Sequence, residues 1–276
     1  LFKADGRHLL INGRRVFLRG TLECCIFPKT GHPDMTGSEW EKIFTTAKAH
    51  GLNHLRFHSW CPPKVAFETA DKHGFYLQVE LPNWSFKMGQ LPAVDAYFLS
   101  EGERILREYG NHPSFVLLSL GNELAGDLAA MDRMMSHFKQ LDPDKLYTST
   151  SFAFSPRGSA AGPVDDYFIS QQTNSGWVRG QGFLNQTPPN TTSDYSAGLS
   201  SVPVPLVTHE VGQYNNYPNL AELPKYEGGA LRALGRVSAD LGDAAGAEGH
   251  LAEALADFEA MGCAFEVAVT RLAIAE

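Results

Sequence analysis

Short continuous apolar runs alternate along most of the chain with stretches in which apolar residues recur every three to four positions. The runs at Asn53–Phe57, Phe75–Glu80, Ser114–Leu120, Leu146–Ser149, Tyr167–Ser170 and Leu206–Thr208 have strand length, and most are apolar on both faces. Helical spacing lies between them, over roughly Ser38–His50, Pro63–His73, Val94–Tyr109 and Leu128–Leu141. Ahead of this series, His8–Ile11 and Arg14–Leu18 flank Asn12-Gly13, a pair that accepts the positive φ angles of a tight hairpin turn. The second hairpin strand reads on into Arg19-Gly20-Thr21.

Strands buried on both faces and separated by helices predict a parallel sheet with its helices outside. No Gly-x-Gly-x-x-Gly follows the first strand, which disfavours a dinucleotide-binding sheet. The expected fold is α/β, a (β/α)8-type TIM barrel. Seven candidate strands are legible and no eighth, so the barrel is expected to be incomplete. The segment Phe152–Pro205 is rich in Ser, Gly, Pro, Asn and Gln and too long for a plain connection; such insertions sit over the active face of a barrel.

Composition shifts near Gly228. The last 49 residues hold 14 Ala and no Lys, and three Arg against eight Asp and Glu give −5, compared with −3 for residues 1–227. Leu231, Leu234 and Leu241 form an apolar stripe, Gly242-Asp243 interrupts it, and Leu251, Leu255 and Phe258 resume it. Two domains are therefore expected: a barrel over 1–227 and an α-helical, repeat-like segment over 228–276. That segment resembles a single tetratricopeptide-like unit, and a protein contact through it is the partner expectation it raises.

The 276 residues are 43% hydrophobic and 20% charged with a net charge of −8. An acidic balance argues against nucleic-acid binding, which draws on Lys and Arg placed against phosphates. No stretch approaches the eighteen apolar residues of a membrane span. Cys24, Cys25, Cys61 and Cys263 have no metal-site or disulfide spacing, and no phosphate loop appears, so neither metal nor other cofactor is expected. Leu1-Phe2-Lys3 reads as the middle of a longer gene; the compartment is undetermined, and periplasmic or extracellular export would depend on a signal upstream.

The chemistry sits at strand ends. Phe115–Leu120 runs straight into Gly121-Asn122-Glu123, and Pro205–His209 runs into Glu210. Both place a carboxyl at the C-terminal end of a buried strand, where barrel enzymes keep their catalysts. One such Glu commonly caps the following helix; two of them, one preceded by Asn, point to a pair. Cleavage of a glycosidic bond needs one carboxylic acid and one carboxylate, about 5–5.5 Å apart in retaining enzymes. Glu80 ends another strand as a third rim carboxyl, a candidate ligand for substrate hydroxyls or a loop cap. Trp84 and Trp177 offer flat faces on which a sugar can stack, although a Trp is more often core or loop packing.

Phe17-Leu18-Arg19-Gly20, Leu55-Arg56-Phe57-His58, Tyr109-Gly110-Asn111-His112-Pro113-Ser114, Gly121-Asn122-Glu123 and His209-Glu210 together resemble the catalytic barrel of glycoside hydrolase family 2, over roughly residues 5 to 227. The β-galactosidases and β-glucuronidases belong to that family. The resemblance implies Glu123 as acid/base, Glu210 as nucleophile and Asn122 as the amide that holds the sugar's 2-hydroxyl. It implies supporting roles for Arg56, beside Glu210, and for His58, toward a sugar hydroxyl. The implied function is retaining hydrolysis of β-glycosidic bonds in oligo- or polysaccharides. The alternatives are a carbohydrate-binding barrel without catalysis, or a truncated barrel with a helical protein-interaction tail.

Overall fold

The computed structural model describes residues 1–179, 192–211, 227–260 and 264–275. The chain divides into two units, Leu1–Cys25 with Pro33–Asn215, and Ile26–His32 with Asn216–Glu276.

The first unit begins with an antiparallel sheet of β1 (Phe2–Asp5), β2 (His8–Ile11) and β3 (Arg14–Val16). Asn12 and Gly13 take φ of 50° and 78°, the positive values a type I′ hairpin turn requires. The second hairpin strand does not run on as expected: β3 stops at Val16, and β4 (Gly20–Glu23) belongs to a different sheet. Asn53 explains the break. Its side chain accepts from the Arg19 N–H at 2.8 Å and donates to the Phe17 carbonyl at 3.0 Å, so the backbone is satisfied through a bend.

From β4 onward strand and helix alternate: α1 (Ser38–Ala49), β5 (His54–Phe57), α2 (Lys64–His73), β6 (Tyr76–Glu80), α3 (Pro92–Tyr109), β7 (Phe115–Ser119), α4 (Leu128–Leu141) and β8 (Leu146–Thr148). Strands β4-β5-β6-β7-β8 form a parallel sheet in chain order. All residues of β5, β7 and β8 are buried; β7 and β8 read as mostly apolar runs, whereas β5 alternates His54 and Arg56 with Leu55 and Phe57, its polar side chains being buried and hydrogen-bonded. The next segment supplies α5 (Pro156–Ser159), β9 (Phe168–Ser170), the hairpin β10 (Gln172–Thr173) and β11 (Gly176–Trp177), α6 (Ser196–Leu199) and β12 (Leu206–Thr208). Strands β9 and β12 pair in parallel, and single bridges Asn122–Ser151 and Ser151–Ile169 carry the wall from β7 through the end of β8 to β9.

Seven parallel strands thus curve in sequence order, as the pattern predicted. Among the described residues no strand pairs with the free edge of β4 or of β12. A cavity of about 570 Å³ is lined from both of these strands and reaches Arg56 and Glu210. The β1–β3 sheet contributes Phe2 and Leu9 to a buried cluster with Leu117, Leu146, Tyr167 and Ile169. Outside the sheet, Trp40 and Phe44 of α1 lie against Phe57 and Phe75 at 6.0 and 5.0 Å, and Phe67 of α2 stacks on Tyr109 at 4.5 Å. Each fully buried aromatic of this kind contributes about 1.5–3 kcal/mol relative to an exposed one. Gly110-Asn111-His112-Pro113-Ser114 fixes the start of β7, because Asp71 of α2 accepts from His112 at 2.7 Å and from the Ser114 N–H at 2.9 Å.

The second unit contains α7 (Glu227–Asp240), α8 (Ala244–Ala260) and α9 (Ala264–Ala275). Leu251 and Phe258 are buried as the stripe required, with Ala247 and Ala254 beside them. Leu234 and Leu241, expected on the same stripe, are exposed. Leu251 instead meets Gly235, where a Cβ would collide with its side chain, so small residues set this helix contact. Tyr226, at the expected boundary between the segments, and Cys263 lie outside the described residues.

Candidate active site

The rim at the C-terminal ends of the parallel strands is marked by its backbone. Among the described residues, six non-glycine residues have positive φ; Asn12 is in the hairpin, and the other five, Cys25, Ser59, Glu123, Phe152 and Glu210, follow β4, β5, β7, β8 and β12. A left-handed residue with a Cβ costs about 1–2 kcal/mol, and such strain collects at functional sites. Glu123 (φ 51°) and Glu210 (φ 46°) are two of the five. The turn before Glu123 depends on Gly121, whose φ is 142° and where a Cβ would run into the Asn83 carbonyl.

The two carboxyls converge. An oxygen of Glu123, one of Glu210 and a ring nitrogen of His209 all lie within 4.8 Å of one another. Glu210 Oε1 is 3.3 Å from His209 Nε2, 3.7 Å from His58 Nε2 and 3.8 Å from Arg56 Nη1. Burial raises the pKa of Glu123, and the charge of Glu210 raises it further, against a hydrogen bond from Trp84 and the fields of His58 and Arg56. One member of the pair is thereby biased toward the acid form. Trp84 also meets His58 edge-on at 5.3 Å.

Arg56 is the hub. Its Nε donates to Glu80 Oε1 at 2.6 Å, and Nη2 donates to Glu80 Oε2 at 3.2 Å and to Asn122 Oδ1 at 2.6 Å. Glu80 accepts further from the Ser59 N–H at 2.7 Å, from Gln78 Nε2 at 3.0 Å and from the Ser151 hydroxyl. Burial pushes the Glu80 carboxyl up, but the Arg56 charge and these donors outweigh it, and its pKa is lowered overall. With its oxygens taken by protein donors, Glu80 is the anchor of Arg56 rather than a ligand facing the carboxyl pair.

The structure therefore gathers Glu123, Glu210, Asn122, Arg56, His58 and Trp84 at one place, with Glu80 beneath them. Trp177 sits in β11 with its side chain exposed and its carbonyl against Gly198. Sequence reasoning did not single out His209 as a site residue, nor Gln171, Ser151, Phe152 or Arg179. His209 and Gln171 follow β12 and β9 directly, and Ser151 and Phe152 come three and four residues after β8, so the rule that led to Glu123, four residues after β7, reaches them as well. Arg179 follows the β10–β11 hairpin and is buried within electrostatic range of Glu210 and His209. His209 Nε2 is 3.2 Å from Asn122 Oδ1. That oxygen is an acceptor for Arg56, so the imidazole edge facing the carboxyls is a donor and offers no lone pair to a cation.

A sheet of parallel strands with helices outside defines a barrel of the TIM type, and its C-terminal rim carries the convergent carboxyl pair. The family model for "Glycosyl hydrolases family 2, TIM barrel domain" matches residues 2–261, and the chain belongs to that family. It is 23% identical over 244 residues to a β-galactosidase of Photobacterium profundum, covering 82% of this chain and 22% of the relative. It is 28% identical over 148 residues to a putative β-glucuronidase of Formosa agariphila, covering 50% of this chain and 14% of the relative. The chain thus spans under a quarter of the length of these relatives. Among solved structures, a β-glucuronidase from Ruminococcus gnavus in complex with D-glucaro 1,5-lactone superposes with a TM-score of 0.61 at 18% identity, over 81% of this chain and 40% of that one.

Proposed function

We propose that this barrel hydrolyses β-glycosidic bonds with retention of configuration, Glu210 acting as nucleophile and Glu123 as acid/base. The observation that carries the reading is the carboxyl pair, with oxygens inside 4.8 Å and Glu123 biased toward its protonated form. That spacing suits a direct attack and leaves no room for a water between the groups, as inversion would need. In the first step a Glu210 oxygen bonds the anomeric carbon, the glycosidic C–O bond breaks, and Glu123 gives its proton to the leaving oxygen. In the second, Glu123 as carboxylate takes a proton from water, the hydroxide attacks the anomeric carbon, and the bond to Glu210 breaks. Arg56 and the His209 N–H stand beside Glu210, and the buried Asn122 Nδ2, which has no hydrogen-bond partner among the described residues, would donate to the sugar's 2-hydroxyl.

The test is hydrolysis of a panel of aryl β-glycosides, led by β-galactosides and β-glucuronides, with the anomer of the first product read by NMR. The expected result is release with β-configuration retained. Inverted product overturns the assignment of Glu210. No release from a folded sample favours a barrel that binds carbohydrate without cleaving it. We propose in addition that residues 228–276 form a helical module distinct from the barrel, a reading supported by the separate packing of α7 and α8 and by the exposure of Leu234, Val237 and Leu241.

A further inference from the structure

The β9–β12 register brings two residues together that neither the motif nor the carboxyl pair explains. Thr208 pairs with Ser170, so the next positions, His209 and Gln171, stand side by side, and the His209 N–H donates to the Ser170 carbonyl at 2.9 Å. Both side chains are buried. Gln171 Nε2 lies 3.0 Å from His209 Nδ1, and Phe152 stacks on the ring at 5.2 Å.

The direction of every hydrogen bond here follows from one group. Arg56 has donors only, so the Asn122 atom 2.6 Å from its Nη2 is the oxygen. His209 Nε2 faces that oxygen at 3.2 Å and Glu210 Oε1 at 3.3 Å, and a ring nitrogen between two acceptors carries a proton. In a neutral ring Nδ1 is then the acceptor, and Gln171 meets it with an amide N–H. The ring is neutral because burial, and after it the positive fields of Arg56, Arg179 and His58, hold its pKa down to about 2. The charged or titratable groups around it are Arg56 and His58 from the end of β5, Arg179 after β11, Glu123 after β7, and Glu210 on its own strand.

We propose that Gln171 is a positioning residue that holds His209 as its Nε2–H tautomer, and that this tautomer orients Asn122 and keeps a neutral donor beside Glu210. The proposal rests on the reading of Glu210 and Asn122 given above. The two acceptors at Nε2 and the Gln171 donor at Nδ1 act together; without that donor the Nδ1–H form loses its penalty at Nδ1, and a ring in that form would turn a lone pair on two oxygens. A doubly protonated ring would instead set a cation against the attacking carboxylate and weaken it as a nucleophile. With the proton on Nε2, Asn122 Oδ1 is committed to Arg56 and His209, and Nδ2 is the atom left to meet a sugar.

The experiment is ¹⁵N NMR of the histidine-labelled full chain, together with kinetics on a 2-hydroxy and a 2-deoxy aryl β-glycoside, for the parent, Gln171→Leu and Gln171→Glu. The parent should show a neutral Nε2–H ring. Gln171→Glu supplies an acceptor to Nδ1, and the titration midpoint of the ring should rise. Gln171→Leu should slow the 2-hydroxy substrate about 10–100-fold while slowing the 2-deoxy substrate far less, since the lost interaction is the one to the 2-hydroxyl. Equal slowing of both substrates is the mark of general damage and overturns the proposal, as does an Nδ1–H ring in the parent. An unchanged tautomer in Gln171→Leu overturns it too. If the parent cleaves no glycoside, the NMR result alone decides the tautomer claim, and only the catalytic reading falls.

Discussion

Glu80 and Glu210 both approach Arg56, and the wall of the barrel each belongs to decides what it can do. Glu80 ends β6 in the continuous five-stranded part of the sheet, and its side chain is fully buried. It accepts from Arg56 at 2.6 Å and from Ser59, Gln78 and Ser151, which leaves little of either oxygen for a substrate. Glu210 follows β12, at the edge of the two-stranded part; its side chain is 16% exposed and its three basic neighbours stand at 3.3–3.8 Å. A carboxylate locked by short hydrogen bonds holds a structure together. One that lines the cavity beside a second carboxyl faces the space a ligand would enter.

The largest effect should come from Glu210. Glu210→Gln should lower turnover of an aryl β-glycoside by about four orders of magnitude or more, with the urea midpoint close to the parent's. A stable parent-like rate in that variant would remove the contrast. Glu80→Ala should show the reverse emphasis, losing about 3–5 kcal/mol in urea denaturation because it strands the buried Arg56 charge. The pH dependence follows the same logic. The folded-state pKa of Glu80 is lowered, so its contribution is present above the ordinary carboxylate range and lost as pH falls through the folded value. Parent stability should drop across that acidic range, and the drop should be smaller in Glu80→Ala.

Gly121→Ala probes the turn that delivers Glu123. A Cβ at φ 142° against the Asn83 carbonyl should cost roughly 1–3 kcal/mol, with further cost from the collision, read as a fall in Tm together with turnover. The smallest effect is expected from Trp84→Phe, which removes the hydrogen bond that favours the charged form of Glu123. Activity that needs protonated Glu123 is lost as pH rises through its pKa, so the basic limb of the profile should move to higher pH. A limb moving down would show that the Trp84 bond favours the acid form.

Much of the barrel was legible because burial on both faces leaves a mark in sequence. The runs at Phe115–Ser119 and Leu146–Thr148 are apolar through most of their length, since no face of these strands meets water. The Gly-Asn-His-Pro-Ser stretch was legible as a family feature, yet its work is structural, with His112 and Ser114 tied to Asp71 before β7 begins. The end of the first hairpin was misread, because a side chain distant in sequence, Asn53, stops β3 at Val16. The apolar stripe of the tail was misread at Leu234 and Leu241 for a related reason: periodicity gives a helix its face, but packing around Gly235 chooses which residues of that face are covered.

For the site, the sequence by itself determined that two carboxyls stand at the ends of buried parallel strands, because strand periodicity and direction fix where a run's last residue emerges. The family motif already set Glu210 apart as the expected nucleophile, but strand-end position did not show Glu80 to be the anchor of Arg56, and it did not single out Gln171 beside His209. Those distinctions depend on which strands become neighbours and in what register, and on which hydrogen bonds the neighbours leave unfilled. Gln171 and His209 are 38 positions apart in sequence, Asn122 and His209 are 87 apart, and they meet only when the sheet curves.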